Sequence, residues 1–262
     1  MVNFERKETY SLQDLIEILR ILRAPGGCPW DRAQTHLSDR RNFLEEAYEA
    51  AEAFDRDDPA LMCEELGDVL MQVAFHAQIE AERGRFTMAN VVDGVARKLV
   101  YRHPHVFGDV QADTSQQVLA NWDVLKRREK GQRSTADAVE AVPHTLPALW
   151  RAEKIQSKTA KAGFDWTSSL QALDKLEEEV RELRAALEAG QAADAPHGIR
   201  EELGDTLFMA AKIAQMLGVD PEDALSGACD KFARRFRQVE QSAAERGQAL
   251  EHMTLAEMDK LW

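Results

Sequence analysis

The chain has no long apolar run. Nowhere in its 262 residues does a stretch approach the ~18 consecutive apolar residues of a membrane span. The opening Met1-Val2-Asn3-Phe4-Glu5-Arg6-Lys7 has no apolar core behind its charges, so no secretory signal is expected. Cysteine is scarce. Cys28, Cys63 and Cys229 are far apart and odd in number, which argues against a disulfide framework or a zinc knuckle and fits idle thiols in a reducing compartment. Positive charge is in deficit: 33 Lys and Arg stand against 46 Asp and Glu, a net charge of −13. Nucleic-acid binding rests on neutralising phosphates with Lys and Arg, so it is not expected, and an anionic membrane surface is equally unfavourable. These absences predict a cytoplasmic protein with neither nucleic acid nor membrane as partner. Nothing reads as a strand.

What is present is a repeat. Glu64-Glu65-Leu66-Gly67-Asp68-Val69-Leu70 returns as Glu201-Glu202-Leu203-Gly204-Asp205-Thr206-Leu207. Each copy follows an acidic helical stretch of the form EExxE, Glu45-Glu46 with Glu49 and Glu178-Glu179 with Glu182. Residues three apart on a helix share a face. Glu46 and Glu49 therefore point the same way, as do Glu65 and Asp68. Two such helices packed antiparallel would aim four carboxylates at one volume. Like charges at that spacing cost an isolated helix roughly 0.2–0.5 kcal/mol per pair, and a cation reverses the sign.

The repeat extends further. An offset of 133 takes Glu46, Glu49, Lys98 and Arg102 to Glu179, Glu182, Lys231 and Arg235, and an offset of 137 takes Glu65 and Asp68 to Glu202 and Asp205. The 44% apolar content suffices for two cores, and the periodicity predicts an all-α chain with one helical bundle per half. The polar run Gly131-Gln132-Arg133-Ser134-Thr135 and the prolines Pro143 and Pro147 mark a linker over 131–146, between domains at 1–130 and 147–262. Ser11, Asp58 and Asp220 read as N-caps, the last two followed by Pro59 and Pro221. Cys28-Pro29-Trp30-Asp31 reads as an ordered loop. The acidic helices are expected from Ser38 or Asp39 to about Phe54, and over about 168–189.

Four carboxylates without histidine form a hard oxygen site of the kind Mg²⁺ takes, with Mn²⁺ as the alternative. Di-iron bundles use Glu-x-x-His instead, and none of the seven histidines has a glutamate three positions before it. Mg²⁺ held by few carboxylates usually serves a phosphate-bearing substrate. Lys98 with Arg102, and Lys231 with Arg235, share helix faces and would clamp its phosphates. Trp30, Phe164, Trp166 and Trp262 are either platforms for a base or packing residues. Glu45 and Glu178 are either outer acids or merely exposed. His103 and His105 read as structural, Lys126–Lys130 as a solvated helix end, and Arg234 and Arg237 as surface ion-pairing residues. Gly67 and Gly204 suggest close approach of a neighbouring helix or of the ligand.

With Cys28-Pro29-Trp30-Asp31 before the first acidic pair, KxxxR after each pair and Gly163-Phe164-Asp165-Trp166 opening the second half, the chain resembles the MazG family, tandem-domain nucleoside triphosphate pyrophosphohydrolases of the all-α NTP pyrophosphatase superfamily. The resemblance covers essentially the whole chain. It implies two four-helix-bundle-type domains that assemble as a homodimer. It also implies Mg²⁺-dependent hydrolysis of nucleoside triphosphates to monophosphate and pyrophosphate, with broad base choice, in nucleotide-pool housekeeping or stress control. Glu46, Glu49, Glu65 and Asp68, and Glu179, Glu182, Glu202 and Asp205, would be metal ligands. Lys231 and Arg235 would hold phosphate, and Lys98 and Arg102 are their first-half equivalents. The longer connector and the Lys231/Arg234/Arg235 group favour the second half as the main catalytic one. A helical regulatory partner and a nucleotide sensor without turnover are the competing classes, and pyrophosphate release separates both from the enzyme.

Overall fold

The computed structural model describes residues 4–129, 131–190, 192–193 and 195–262, and among these no strand occurs. The chain divides into two compact units, Met1–Leu125 and Lys126–Trp262. The helices of the first unit are α1 (Leu12–Arg23), α2 (Pro29–Ala33), α3 (His36–Arg56), α4 (Pro59–Glu82), α5 (Met88–Arg102) and α6 (Pro104–Phe107). Helix α7 (Ser115–Glu129) contains the division. The second unit continues with α8 (Thr135–Glu140), α9 (Ala148–Ala160), α10 (Ser169–Glu188), α11 (Ile199–Leu217), α12 (Pro221–Glu245) and α13 (Leu255–Asp259).

Local chemistry sets the helix starts. Ser11 caps α1 in a capping box with Asp14, and Thr35 caps α3 in a box with Ser38, so that the helix begins at His36, two residues before the earliest start expected from the sequence. A box satisfies two orphan amides reciprocally, which outweighs the position of the acids. Asp58 Oδ1 accepts from the amides of Ala60 and Leu61 at 3.0 and 3.2 Å, and Asp220 Oδ1 accepts from those of Glu222 and Asp223 at 2.9 and 3.2 Å. Both caps precede a proline at the first helical position, where its missing N–H costs nothing.

Two departures from the sequence reading stand out. The CPWD segment is not all loop: Pro29 opens the short helix α2. Residues 131–146, read as a linker, contain α8, whose Ala138 is fully buried and which packs on α9. Ala138 and Val142, both buried, anchor a segment whose polar composition signals exposure. Lys130, the end of the basic helix terminus, lies outside the described residues.

In the first unit α4 is central, packing on α1, α3 and α5; in the second, α11 packs on α9, α10 and α12. Leu19, Ala74, Phe75 and Ile79 form the first core, with Leu15, Leu22 and Met71 against it. The acidic helices bury small residues at a seven-residue spacing. On α10 the buried side chains are Ala172, Glu179 and Ala186. The same register on α3 runs Asp39, Glu46, Ala53, with Asp39 and Ala53 buried and Glu46 half-buried. Seven residues are two turns, so each stripe faces its partner helix continuously, and each carries one site glutamate in its middle.

Candidate functional site

Those stripes bring acids from two helices together twice. In the first unit single carboxylate oxygens of Glu46, Glu49 and Glu65 all lie within 4.8 Å of one another; in the second, those of Glu179, Glu202 and Asp205 do the same. The fourth acid of each set stands outside the tight triad but acts on it. Burial and then the charge of Asp68, ahead of Glu49 and Glu65, push the Glu46 carboxyl above the usual range. Burial and then Glu182, ahead of Asp205, do the same to Glu202. Glu65 is raised by desolvation and by Glu49 and Asp68, and Asp205 by desolvation and Glu179. Four mutually repelling carboxylates gain from a cation, since buried charges persist only when paired or metal-bound.

The second triad is the deeper. Glu179 and Glu202 are 6% and 7% exposed, whereas Glu46 and Glu65 are half-buried and Glu49 exposed. The sequence reading overlooked two supporting side chains. Lys175 Nζ lies 2.8 Å from Glu178 Oε1 and 2.7 Å from Glu179 Oε1; its signal was the four-residue Lys–Glu spacing. Glu178, left open from sequence, is therefore ion-paired rather than idle. Buried Gln72 of α4 faces Glu46 and weakly opposes the upward push on its carboxyl; a glutamine inside an apolar helix face was its signal.

The cationic pairs differ. Lys98 is exposed, while Arg102 is buried with its guanidinium 5.1 Å from the Trp122 ring centroid. Lys231 and Arg235 are both exposed, and Arg235 stacks 5.6 Å over Trp262. Trp262 also lies 5.0 Å from Phe232 and lines an apolar cleft of about 250 Å³ with Phe236 and Met258. Trp30 and Phe164 are 60% and 78% exposed. Trp166 is half-buried, and the ammonium of Lys212, itself 1% exposed, sits 5.9 Å from its ring. Gly67 and Gly204 do not mark close helix packing: a Cβ at either would meet nothing within 4 Å. His103 Nδ1 binds the Leu99 carbonyl at 2.7 Å, a structural contact. No helix of the described residues is long and apolar enough to cross a membrane.

The family model of the MazG nucleotide pyrophosphohydrolase domain matches this chain twice, over residues 34–107 and 167–240. The chain belongs to the MazG family. Each MazG match encloses one acid set and one KxxxR pair, while Trp30, Phe164, Trp166 and Trp262 fall outside. A Thermotoga maritima protein named nucleoside triphosphate pyrophosphohydrolase/pyrophosphatase MazG is 41% identical over 250 residues, 95% of this chain and 93% of its own. An Escherichia coli (strain K12) protein named nucleoside triphosphate pyrophosphohydrolase is 42% identical over 249 residues, 95% and 94% of the two chains. The uncharacterized Bacillus subtilis protein YabN is 45% identical over 247 residues, 94% of this chain but 49% of YabN. A MazG tandem of this extent thus also matches about half of a longer protein.

Proposed function

We propose that this chain hydrolyses nucleoside triphosphates to nucleoside monophosphate and pyrophosphate in a Mg²⁺-dependent reaction, with Mn²⁺ able to substitute. The reading rests on the two four-acid sets, which recur at repeat-equivalent positions on paired helices and whose triads share Glu46/Glu179 and Glu65/Glu202, and on the activity named for two relatives that match nearly end to end. An all-carboxylate donor set suits a hard divalent cation, and the raised carboxyls of Glu46, Glu65, Glu202 and Asp205 are those a cation would restore to the ionised form. Glu46, Glu49, Glu65 and Asp68 would hold it in the first domain, and Glu179, Glu182, Glu202 and Asp205 in the second. When bound, Mg²⁺ supplies charge for the phosphate oxygens and acidifies a water ligand. Lys231 and Arg235 neutralise the phosphates that emerge from the acid site, Lys98 and Arg102 do so in the first domain, and Trp262 with its apolar cleft takes the base. A cleft whose lining is mostly apolar, with Asp259 as its one acid, fits broad base choice and a role in nucleotide-pool housekeeping or stress control.

The acting form in this reading is a homodimer. Leu66 and Leu70 are 50% and 39% exposed on α4, and their repeat partners Leu203 and Leu207 are 46% and 50% exposed on α11. Both pairs flank the open faces of Gly67 and Gly204.

Product analysis is the test. Incubation with Mg²⁺ and each common nucleoside triphosphate is expected to release monophosphate and pyrophosphate in equal amounts. Orthophosphate with a nucleoside diphosphate as first products would falsify the reading, because attack would then fall on the γ-phosphorus.

A further inference from the structure

The first unit holds a cluster of titratable groups that the duplicated acid framework does not use. His36 opens α3 and His76 lies on α4; their Nδ1 atoms are 2.8 Å apart, with ring centroids at 5.0 Å. The outer nitrogen of each ring faces a buried carboxylate. His36 Nε2 is 2.6 Å from Glu80 Oε1, and His76 Nε2 is 3.6 Å from Asp39 Oδ2. Both carboxylates are held by other groups. Arg83 and Arg85 pair with Glu80 at 3.0 and 2.6 Å, and Asn42 donates to Asp39 Oδ1 at 3.0 Å. Asp39 Oδ2 is buried with no hydrogen-bond partner. The offsets of the repeat place Ser169, Ala172, Ile213 and Leu217 at the four corresponding positions, so the cluster is particular to the first half.

An imidazole whose Nε2–H faces a carboxylate offers a bare lone pair at Nδ1. Glu80 favours this tautomer at His36, whose Nε2 lies 2.6 Å from it. The same tautomer at His76, whose Nε2 faces Asp39 across 3.6 Å, brings two lone pairs together. Imidazole ligands oriented by carboxylates on their far nitrogens are the usual surroundings of a metal-bound histidine. Burial, which outweighs the opposing charge of Asp39, pushes His76 below the ordinary imidazole range and so favours the neutral ring a metal needs. Phe43 and Phe75 flank His76, with ring centroids at 5.6 and 6.4 Å, and give the site an apolar wall.

We propose that His36 Nδ1 and His76 Nδ1 form a binding site for a divalent transition ion of the Zn²⁺ class, oriented by Glu80 and Asp39. Imidazole nitrogen favours such ions over Mg²⁺, so the site is chemically distinct from the oxygen clusters. Zn–N bonds of about 2.0–2.1 Å in tetrahedral geometry need nitrogens roughly 3.3 Å apart. His36 begins its helix, and its side chain is 40% exposed, so it can open by the necessary ~0.5 Å and admit water as the remaining ligands. The ion takes the place of the present Nδ1···Nδ1 contact. Binding fastens the start of α3 to the C-terminal part of α4.

Zn²⁺ titrated calorimetrically into the full chain, with Mg²⁺ in excess to occupy the carboxylate clusters, is expected to fill one site. His36→Gln and His76→Gln should each weaken it more than about tenfold, and Glu80→Gln about 10- to 100-fold, the usual effect of losing an outer carboxylate. His103→Gln should leave it intact. The Cu²⁺-loaded His103→Gln chain should show electron paramagnetic coupling to two nitrogens, which needs no variant at the site itself. Zn²⁺ affinity unchanged in both site variants, or a Cu²⁺ signal without two nitrogens, overturns the proposal and leaves a contact between the two rings only.

Discussion

Lys175 Nζ lies 2.7 Å from Glu179 Oε1, one turn before a glutamate that is almost fully buried in the stripe of α10. Hydrogen bonds to Glu178 and then Glu179 hold the Lys175 ammonium well above its ordinary range. The repeat puts Asn42 at the corresponding position of the first half, where it binds Asp39 instead. The second acid cluster therefore carries a cation on its own helix, and the first has an amide in its place.

That difference predicts opposite effects of one substitution. Lys175→Met removes the charge that competes for Glu179, so Mn²⁺ should bind the nucleotide-free chain roughly three- to tenfold more tightly, as expected for one unit charge at close range in a partly solvated site. The melting temperature without metal should fall. Mn²⁺ titration followed by electron paramagnetic resonance reads the affinity, and an unchanged or weaker constant would sink the idea.

The raised carboxyls set the sign of a second prediction. An acid whose folded pKa exceeds its unfolded value binds its proton more tightly when folded. Ionising Glu46 and Glu202 therefore costs stability, and the cost is present above their raised values and relieved as pH falls through them. Glu202→Gln and Glu46→Gln should each raise the metal-free melting temperature at neutral pH, with the gain shrinking toward pH 4. Mg²⁺ should raise the wild-type value more than that of either variant. Calorimetric melting across the pH range checks both trends.

Lys212 offers a third test. Its fully buried ammonium pairs with Asp165 Oδ1 at 2.5 Å and Gln215 Oε1 at 2.7 Å, tying the Phe164-Asp165-Trp166 loop to the helix of Glu202 and Asp205. Asp165→Asn leaves a buried charge poorly paired and should cost about 3 kcal/mol, whereas Lys212→Met removes the charge and keeps the volume, and should cost less. Urea unfolding of both variants decides; the reverse order would refute the electrostatic account.

The two halves should contribute unequally to turnover. Glu202→Gln with Asp205→Asn removes half of the deeper acid set and is expected to lower pyrophosphate release by ~10²–10³, the usual loss when charge stabilisation is removed. Glu65→Gln with Asp68→Asn in the shallower set should cost less. Equal losses in the two double variants would show that depth and Lys175 do not matter.

Much of the scaffold could be read from residue order. Asp58-Pro59 and Asp220-Pro221 announce their helices because a cap and a proline act within one turn, and the Glu65/Asp68 spacing fixes a shared face because a helix has one period. The same local reasoning misjudged CPWD and the segment 131–146. There Pro29 opens α2, and Ala138 and Val142 are buried in the segment that packs on α9, a burial that polar composition does not signal.

The sequence alone determined that the acids are duplicated, that they lie on helices and that the halves share a framework, since repetition and periodicity are properties of the chain itself. Which three of each four acids draw together was decided by the tertiary structure. Packing depth along the Ala172–Glu179–Ala186 and Asp39–Glu46–Ala53 stripes sets how closely each carboxylate meets the partner helix. So were the burial of Arg102, the pairing of Lys212 with Asp165, and the meeting of His36 with His76 across forty residues, because contacts between helices depend on three-dimensional register, which no local spacing encodes.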